Sequence, residues 1–227
     1  MTSSFLDLGF ARFDTQRELR QGAPEAVLAA GKTAPEVLAI VRAAIDAGVG
    51  TVLVTRADAE VRALLRENVP GVYEHERARC CWVVNELPER YGRIAMLSAG
   101  TSDGPVLHEA RIRAELLGCE VSLHEDVGVA GLHRLFPALP DIESADCVLV
   151  AAGMDGALAS VVGGLVRVPV IGVPTSVGYG SADAGRTALN SMLASCAAGL
   201  AVVGIDDGFG GGTVAALVAR SAARPLT

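Results

Sequence analysis

Residues 98 to 104 read Ser98-Ala99-Gly100-Thr101-Ser102-Asp103-Gly104, so three hydroxyls and a carboxylate share one short stretch. The stretch follows the run Arg93-Ile94-Ala95-Met96-Leu97 and precedes Pro105, which opens a periodic helical pattern. A strand, a small polar loop and a helix start in succession leave backbone N–H groups pointing outward, with a helix dipole that favours negative charge. Hydroxyls and main-chain N–H groups suit a phosphate or a ribose, and Asp103 could take a ribose hydroxyl. Helix capping by Ser102 or Asp103 accounts for one residue but not for a whole loop of small polar ones. The chemistry expected here is the holding of a nucleotide.

Other candidates lie at the ends of later apolar runs. Asp155 follows Ala151-Ala152-Gly153-Met154 and either faces a ligand or caps the next helix. Asp126 opens Asp126-Val127-Gly128-Val129-Ala130-Gly131, with His133 and Arg134 beyond it as anion ligands or as a solvated face. Asp206-Asp207-Gly208-Phe209-Gly210-Gly211-Gly212 offers paired carboxylates that could hold Mg²⁺ against phosphates, or a flexible turn with an Asp cap. Cys196 falls after a helical stretch and just before Gly199, either as a small hydrophobe or as a reactive thiol. Cys119 and Cys147 read as core, and adjacent Cys80 and Cys81 point to opposite faces of a strand, which disfavours a shared metal. His75, His108 and His124 have no metal-ligand spacing. Arg17, Arg20 and Lys32 could close over an anionic substrate or simply pair with Asp14 and Glu18.

The elements that must position these residues divide near residue 90. Residues 1–90 read as a small α/β domain, with a helix from Pro35 to Ala47, a strand at 51–55, a helix at 57–67 and a strand at 79–84. Residues 91–227 alternate regularly. Strands are expected at 93–98, 119–124, 146–152, 168–173 and 199–205, and helices near 105–117, 129–138, 156–166, 183–195 and 213–222. Such alternation implies right-handed crossovers and a parallel sheet covered on both faces. Ligands then sit outside the carboxyl ends of the strands, where the Gly-rich polar loops fall. The chain is 51% hydrophobic with 4% aromatics and 26 Gly, which suits close packing of helices on such a sheet. A net charge of -7 without a dense basic stretch argues against nucleic acid or an anionic membrane as partner. No signal peptide or membrane-length apolar run is visible, and five Cys without paired metal spacings point to a cytoplasmic protein with reduced thiols.

Together these motifs are familiar. Residues 93–222 resemble the PurE-type fold, the carboxylase/mutase domain that acts on 5-aminoimidazole ribonucleotide. Ser98-Ala99-Gly100-Thr101-Ser102-Asp103 stands where that family has its phosphate loop, and Val168-Pro169-Val170-Ile171-Gly172-Val173-Pro174 matches a second segment. That register puts Ala157 where the purine enzymes have their proton-transferring His. A closer similarity, over nearly the whole chain, is to the LarB family, pyridinium-3,5-biscarboxylic acid mononucleotide synthase. The matching segments are residues 14–25, 99–103, 126–134 and 152–154, together with Cys196 and residues 205–210. Two positions depart: the family's usual Glu is Asp155 here, and its usual Asn is Asp207.

The resemblance implies a three-layer, flavodoxin/Rossmann-type parallel-sheet domain of PurE kind after the small N-terminal α/β domain. It also implies a reaction, the first step towards the nickel-pincer nucleotide of lactate racemase. Nicotinic acid adenine dinucleotide would be carboxylated at the ring 5-position by CO₂ or bicarbonate, and its phosphoanhydride hydrolysed to release AMP. By that resemblance Cys196 is the nucleophile and Asp155 the base or proton carrier. Ser98, Gly100, Thr101, Ser102, Asp103, Asp126, Gly153 and Met154 hold the nucleotide, Mg²⁺ accompanies the pyrophosphate, and the chain assembles as a homo-octamer. A purine-pathway carboxylase or mutase and a non-catalytic nucleotide-binding protein remain as alternatives.

Overall fold

The computed structural model describes residues 4–86 and 88–223. The chain forms two compact units, Met1–Pro88 and Glu89–Thr227.

In the first unit a hairpin of β1 (Phe5–Asp7) and β2 (Arg12–Asp14) leads into α1 (Arg17–Gln21). Then come β3 (Ala26–Leu28), α2 (Ala34–Asp46), β4 (Thr51–Thr55), α3 (Ala59–Asn68), β5 (Tyr73–His75) and β6 (Cys80–Val84). The last four strands form one sheet in the order β3-β4-β6-β5, with β3 and β4 parallel across the α2 crossover and the rest antiparallel. α2 begins where it does because Thr33 and Glu36 form a reciprocal capping box: Thr33 Oγ1 accepts the Glu36 N–H, and the Glu36 carboxylate takes the Thr33 N–H at 2.8 Å. Its buried face, Val37, Ile40, Val41 and Ala44, packs with Val61 and Leu65 of α3 over Val52 and Val54 of β4. The expected small α/β unit is therefore present. Its shortest pieces, β1, β2, β3, β5 and α1, escape sequence patterning, because a strand of three residues shows no resolvable alternation.

The second unit runs β7 (Arg93–Ser98), α4 (Gly104–Leu116), β8 (Glu120–His124), α5 (Leu139–Ser144), β9 (Cys147–Ala152), α6 (Ala157–Gly163), β10 (Val170–Pro174), α7 (Arg186–Leu193), β11 (Leu200–Val202) and α8 (Gly208–Ala222). All five strands are parallel, in the order β11-β10-β9-β7-β8. This is the doubly wound flavodoxin-type order, and it reverses between β7 and β9, which opens a crevice at their carboxyl ends. α5, α6 and α7 cover one face through Ile142, Leu158, Val162 and Met192, and α4 and α8 cover the other. β9 is buried along its whole length, as a central parallel strand must be.

Four expected elements differ. The strand expected at 199–205 is only Leu200–Val202. The helix expected at 129–138 is two 3₁₀ segments, Val129–Arg134 and Phe136–Ala138, followed by α5, because Gly131 leaves the helical region and Pro137 and Pro140 each remove a donor. The helix expected at 183–195 starts only at Arg186, after Asp183 and Ala184 take left-handed conformations. The Gly-rich stretch after Asp207 is no loop, since α8 already begins at Gly208. A Cβ on Gly208 would stand 2.4 Å from the Val106 carbonyl oxygen, and one on Gly212 2.4 Å from that of Ala110. These glycines let α8 lie directly against α4. Gly212→Ala should therefore destabilise the fold by about 1–3 kcal/mol through overpacking, read as a lower urea midpoint with an unchanged slope. Exposed Gly164→Ala should change it by less than about 0.5 kcal/mol; equal midpoints for the two variants would contradict this account of the helix contact.

Candidate active site

The carboxyl ends of β7 and β9 carry a buried polar frame. Ser98 closes β7 with its side chain inward, and its Oγ accepts the backbone N–H of Asp126 at 3.2 Å. Asp103, only 3% exposed, lies in the turn that leads into α4. One of its oxygens accepts the Gly100 N–H at 2.8 Å, and the other accepts the hydroxyl of fully buried Thr175 at 2.5 Å. The Gly153 N–H is also directed at this carboxylate. Burial pushes the Asp103 carboxyl above its ordinary value, the Thr175, Gly100 and Gly153 donors pull it back, and the charge of Asp206 adds a smaller upward push. Thr101 and Ser102 stand exposed at the tip of the same loop.

In the second unit three non-glycine residues beyond strand ends adopt left-handed backbone: Asp126 (φ 58°), Met154 (φ 54°) and Asp206 (φ 56°). Each is held by a bond from its amide to a neighbouring loop or strand end. Asp126 uses Ser98 Oγ, Met154 uses the Val177 carbonyl at 2.9 Å, and Asp206 uses the Pro174 carbonyl at 2.8 Å. Strained conformations of this kind persist only where surrounding contacts over-determine them, and they concentrate at binding and catalytic sites. Gly153 and Gly128 are required by close approach. Added Cβ atoms would fall 2.4 Å from the Val177 carbonyl oxygen and 2.6 Å from that of Ala99.

The structure thus brings Ser98, Gly100, Thr101, Ser102, Asp103, Asp126, Gly153 and Met154 to one end of the sheet. Their roles divide. Ser98, Asp103 and Gly153 are internal to the frame, while Thr101, Ser102 and Met154 face outward. Asp126 carries an ion pair to Arg134 at 2.7 Å on the same rim. Asp155 is exposed beside Met154, and its Oδ1 accepts the Ala157 N–H at 3.1 Å, so its carboxylate both turns the chain into α6 and faces solvent. Asp206 accepts the Ser176 N–H at 2.8 Å, and Asp207 caps α8 through the Gly210 N–H at 2.7 Å. No three His, Cys, Asp or Glu side chains among the described residues come together as a metal site. Thr175 is the site residue that sequence reasoning did not single out; its signal was the hydroxyl pair Thr175-Ser176 directly after an apolar strand ending in Pro174.

Cys196 lies elsewhere. It sits between α7 and β11, and the Gly199 carbonyl just after it accepts the N–H of Val170, the first residue of β10. Ala197 touches the end of α6 at Gly163, and Ser195 Oγ bonds Ser160 Oγ at 2.8 Å. Within one chain the thiol is therefore at the amino end of the sheet, opposite the Asp103 frame. It is exposed, whereas Cys80, Cys81, Cys119 and Cys147 are buried. Burial pushes the Cys119 thiol up to about 11 and that of Cys147 up to about 12, which makes both inert. In the first unit, Arg17 pairs with Glu25 at 3.1 Å, Arg20 pairs with Asp14, and Lys32 donates to the Leu28 carbonyl at 2.8 Å, so surface pairing accounts for these cations, with Glu25 joining Asp14.

Comparison with known proteins supplies the wider context. Residues 5–86 match the LarB/PurE-like N-terminal domain family, and residues 93–224 match the AIR carboxylase family. An uncharacterized protein of Methanocaldococcus jannaschii is 39% identical over 219 residues, which cover 92% of this chain and 84% of that protein. Among solved structures, PurE of Treponema denticola and a single-residue variant of its PurE2 superpose on 56% of this chain with a TM-score of 0.44. They are 22% and 21% identical, and the match covers 77% and 76% of their chains. With its LarB-type domain followed by an AIR carboxylase domain, this chain belongs to the LarB/PurE-like carboxylase family.

Proposed function

We propose that this protein carboxylates the pyridinium ring of nicotinic acid adenine dinucleotide and hydrolyses its phosphoanhydride, giving pyridinium-3,5-biscarboxylic acid mononucleotide and AMP. The observation that carries this reading is the order of the two matched domains, a LarB-type unit followed by a carboxylase unit, in one chain. Ala157 in place of the purine enzymes' His speaks against aminoimidazole ribonucleotide as the substrate.

The chemistry needs a nucleophile because a pyridinium ring is electron-poor and does not attack CO₂. Addition of the Cys196 thiolate at ring C4 gives a 1,4-dihydropyridine, an enamine with electron density at C5. C5 then forms a bond to CO₂, leaving an iminium at the ring nitrogen. Loss of the C5 proton to a base restores the enamine, and expulsion of the thiolate from C4 restores the pyridinium. Asp155, exposed at the rim beside Met154, is the base. The nucleotide phosphates lie along Thr101 and Ser102 at the start of α4. Hydrolysis places water on one phosphorus of the anhydride as AMP departs. A divalent cation would offset the pyrophosphate charge; Asp206 or Asp207 would hold it, and a cation held mainly by phosphate oxygens and water needs only one or two carboxylates.

The position of Cys196 adds a condition. The frame and the thiol lie at opposite ends of one sheet, so the thiol that reaches a given frame belongs to another copy of the chain. Leu165 and Leu193 are exposed at the amino end near Cys196, and Met154 and Tyr179 at the carboxyl end. Contact between unlike ends is heterologous, and where its rotation closes it builds a ring, which is compatible with a homo-octamer.

Incubation with nicotinic acid adenine dinucleotide, ¹³C-bicarbonate and Mg²⁺ should yield AMP and a mononucleotide carrying one labelled carboxylate. Cys196→Ala should abolish label incorporation. Unchanged turnover in that variant would remove the thiol mechanism, and turnover of aminoimidazole ribonucleotide instead would restore the purine reading. Sedimentation should show a closed oligomer, and a monomer with full activity would contradict delivery of the thiol by a second copy.

A further inference from the structure

Asp103 was expected to bind a ribose hydroxyl, yet the structure commits its oxygens inward. One oxygen takes the Gly100 N–H and the other the Thr175 hydroxyl, with the Gly153 N–H directed at the same carboxylate. One carboxylate therefore joins the loops that follow β7 and β9, the two strands that flank the switch point, and the loop that follows β10, the next strand in the sheet. Thr175 itself is completely buried, and its Oγ1 would stand 2.7 Å from a Cβ at Gly153, so the three loops meet in atomic contact. Its neighbour Ser176 is tied in turn to Asp206 in the turn between β11 and α8. Ser98 extends the same frame to the β8 loop through Asp126.

We infer that Thr175 is a positioning residue: its hydroxyl holds Asp103, and Asp103 holds the 98–104 loop in the conformation that receives the nucleotide. Neither side chain touches the substrate. The loop's outward atoms, at Thr101 and Ser102, do so, and the buried pair fixes where they stand. In naming the nucleotide of the proposed reaction as the ligand, this inference rests on the reading above; the link between Thr175 and Asp103 does not.

Thr175→Val keeps shape and volume but removes the donor. The Asp103 carboxylate is then left in a dry site with one fewer hydrogen bond, beside the charge of Asp206. Burial already raises the Asp103 carboxyl, and the lost donor raises it further. A carboxyl raised in the folded state destabilises the fold where it is ionised, and that penalty fades as pH falls and the folded protein takes up the proton. The melting deficit of Thr175→Val relative to the wild type should thus be large near neutral pH and shrink in mildly acidic solution, while Thr175→Ser restores wild-type behaviour. Binding of AMP, measured by calorimetry without turnover, should weaken about tenfold or more in Thr175→Val and recover in Thr175→Ser. In turnover, KM should rise by a similar factor with kcat changed less than about twofold.

A melting deficit independent of pH, or Thr175→Ser behaving like Thr175→Val, would overturn the inference, because either result makes the role one of packing. Unchanged AMP affinity with the pH-dependent deficit intact would overturn the link to the nucleotide loop. Failure of the wild type to turn over nicotinic acid adenine dinucleotide would count against the proposed substrate alone, since the melting and AMP measurements still decide the role of Thr175.

Discussion

A carboxylate that is 3% exposed survives inside a protein only if donors surround it, and Asp103 meets that demand with groups from three different loops. The requirement runs outward through the carboxyl end of the sheet. Gly153 has to lack a side chain because Thr175 and Val177 occupy the space it would fill. Met154 is then turned into a left-handed conformation and held to Val177. Asp155 follows at the exposed rim, at the start of α6. A polar group with no direct part in binding thus sets the places of those that face solvent. Such a frame is costly to leave partly satisfied, which gives the loops one defined arrangement before any ligand arrives.

The opposite end of the sheet follows a different logic. There the chain exposes a thiol and apolar side chains in place of a hydrogen-bonded frame. In a doubly wound domain every helix returns the chain from the carboxyl end to the amino end, so a residue after α7 cannot share a face with the loop before it. The reaction we propose needs both ends. The association of copies through unlike ends that we propose would reconcile the topology with the chemistry, and it would give a reason for a small domain to assemble before it acts. The glycines of α8 belong to this scaffold. They bring the helix onto α4 and fix the turn at Asp206 and Asp207 from which it starts.

Much of this was legible in the residues, and the limits have physical causes. The three inner strands β7, β9 and β10 announce themselves as apolar runs, since both of their faces are covered, and β7 spans 93–98 as expected. The 98–104 loop was recognisable as the site's edge from its small polar residues between a strand and a helix. The direction of its side chains was not: nothing in Ser98 or Asp103 as letters distinguishes a ligand from a buried strut. That distinction is made by residues 28 and 72 positions away, Asp126 and Thr175, which the chain fold brings within hydrogen-bond range. The Gly208–Gly212 stretch was misread as a loop because glycine's low helix propensity is overridden by the backbone of α4. Cys196 could be placed in sequence but not at an end of the sheet until α7 and β11 were in place.

We propose that the Asp155 rim of one copy works with the Cys196 thiol of another. Co-expression of Asp155→Ala and Cys196→Ala chains tests it most directly, with carboxylation of nicotinic acid adenine dinucleotide as the readout. Each variant alone should be inactive in carboxylation. Mixed assemblies should recover about a quarter of the wild-type rate, the share of sites that receive both intact groups when copies assort at random across a heterologous interface. Co-assembled chains that recover no activity would contradict the account.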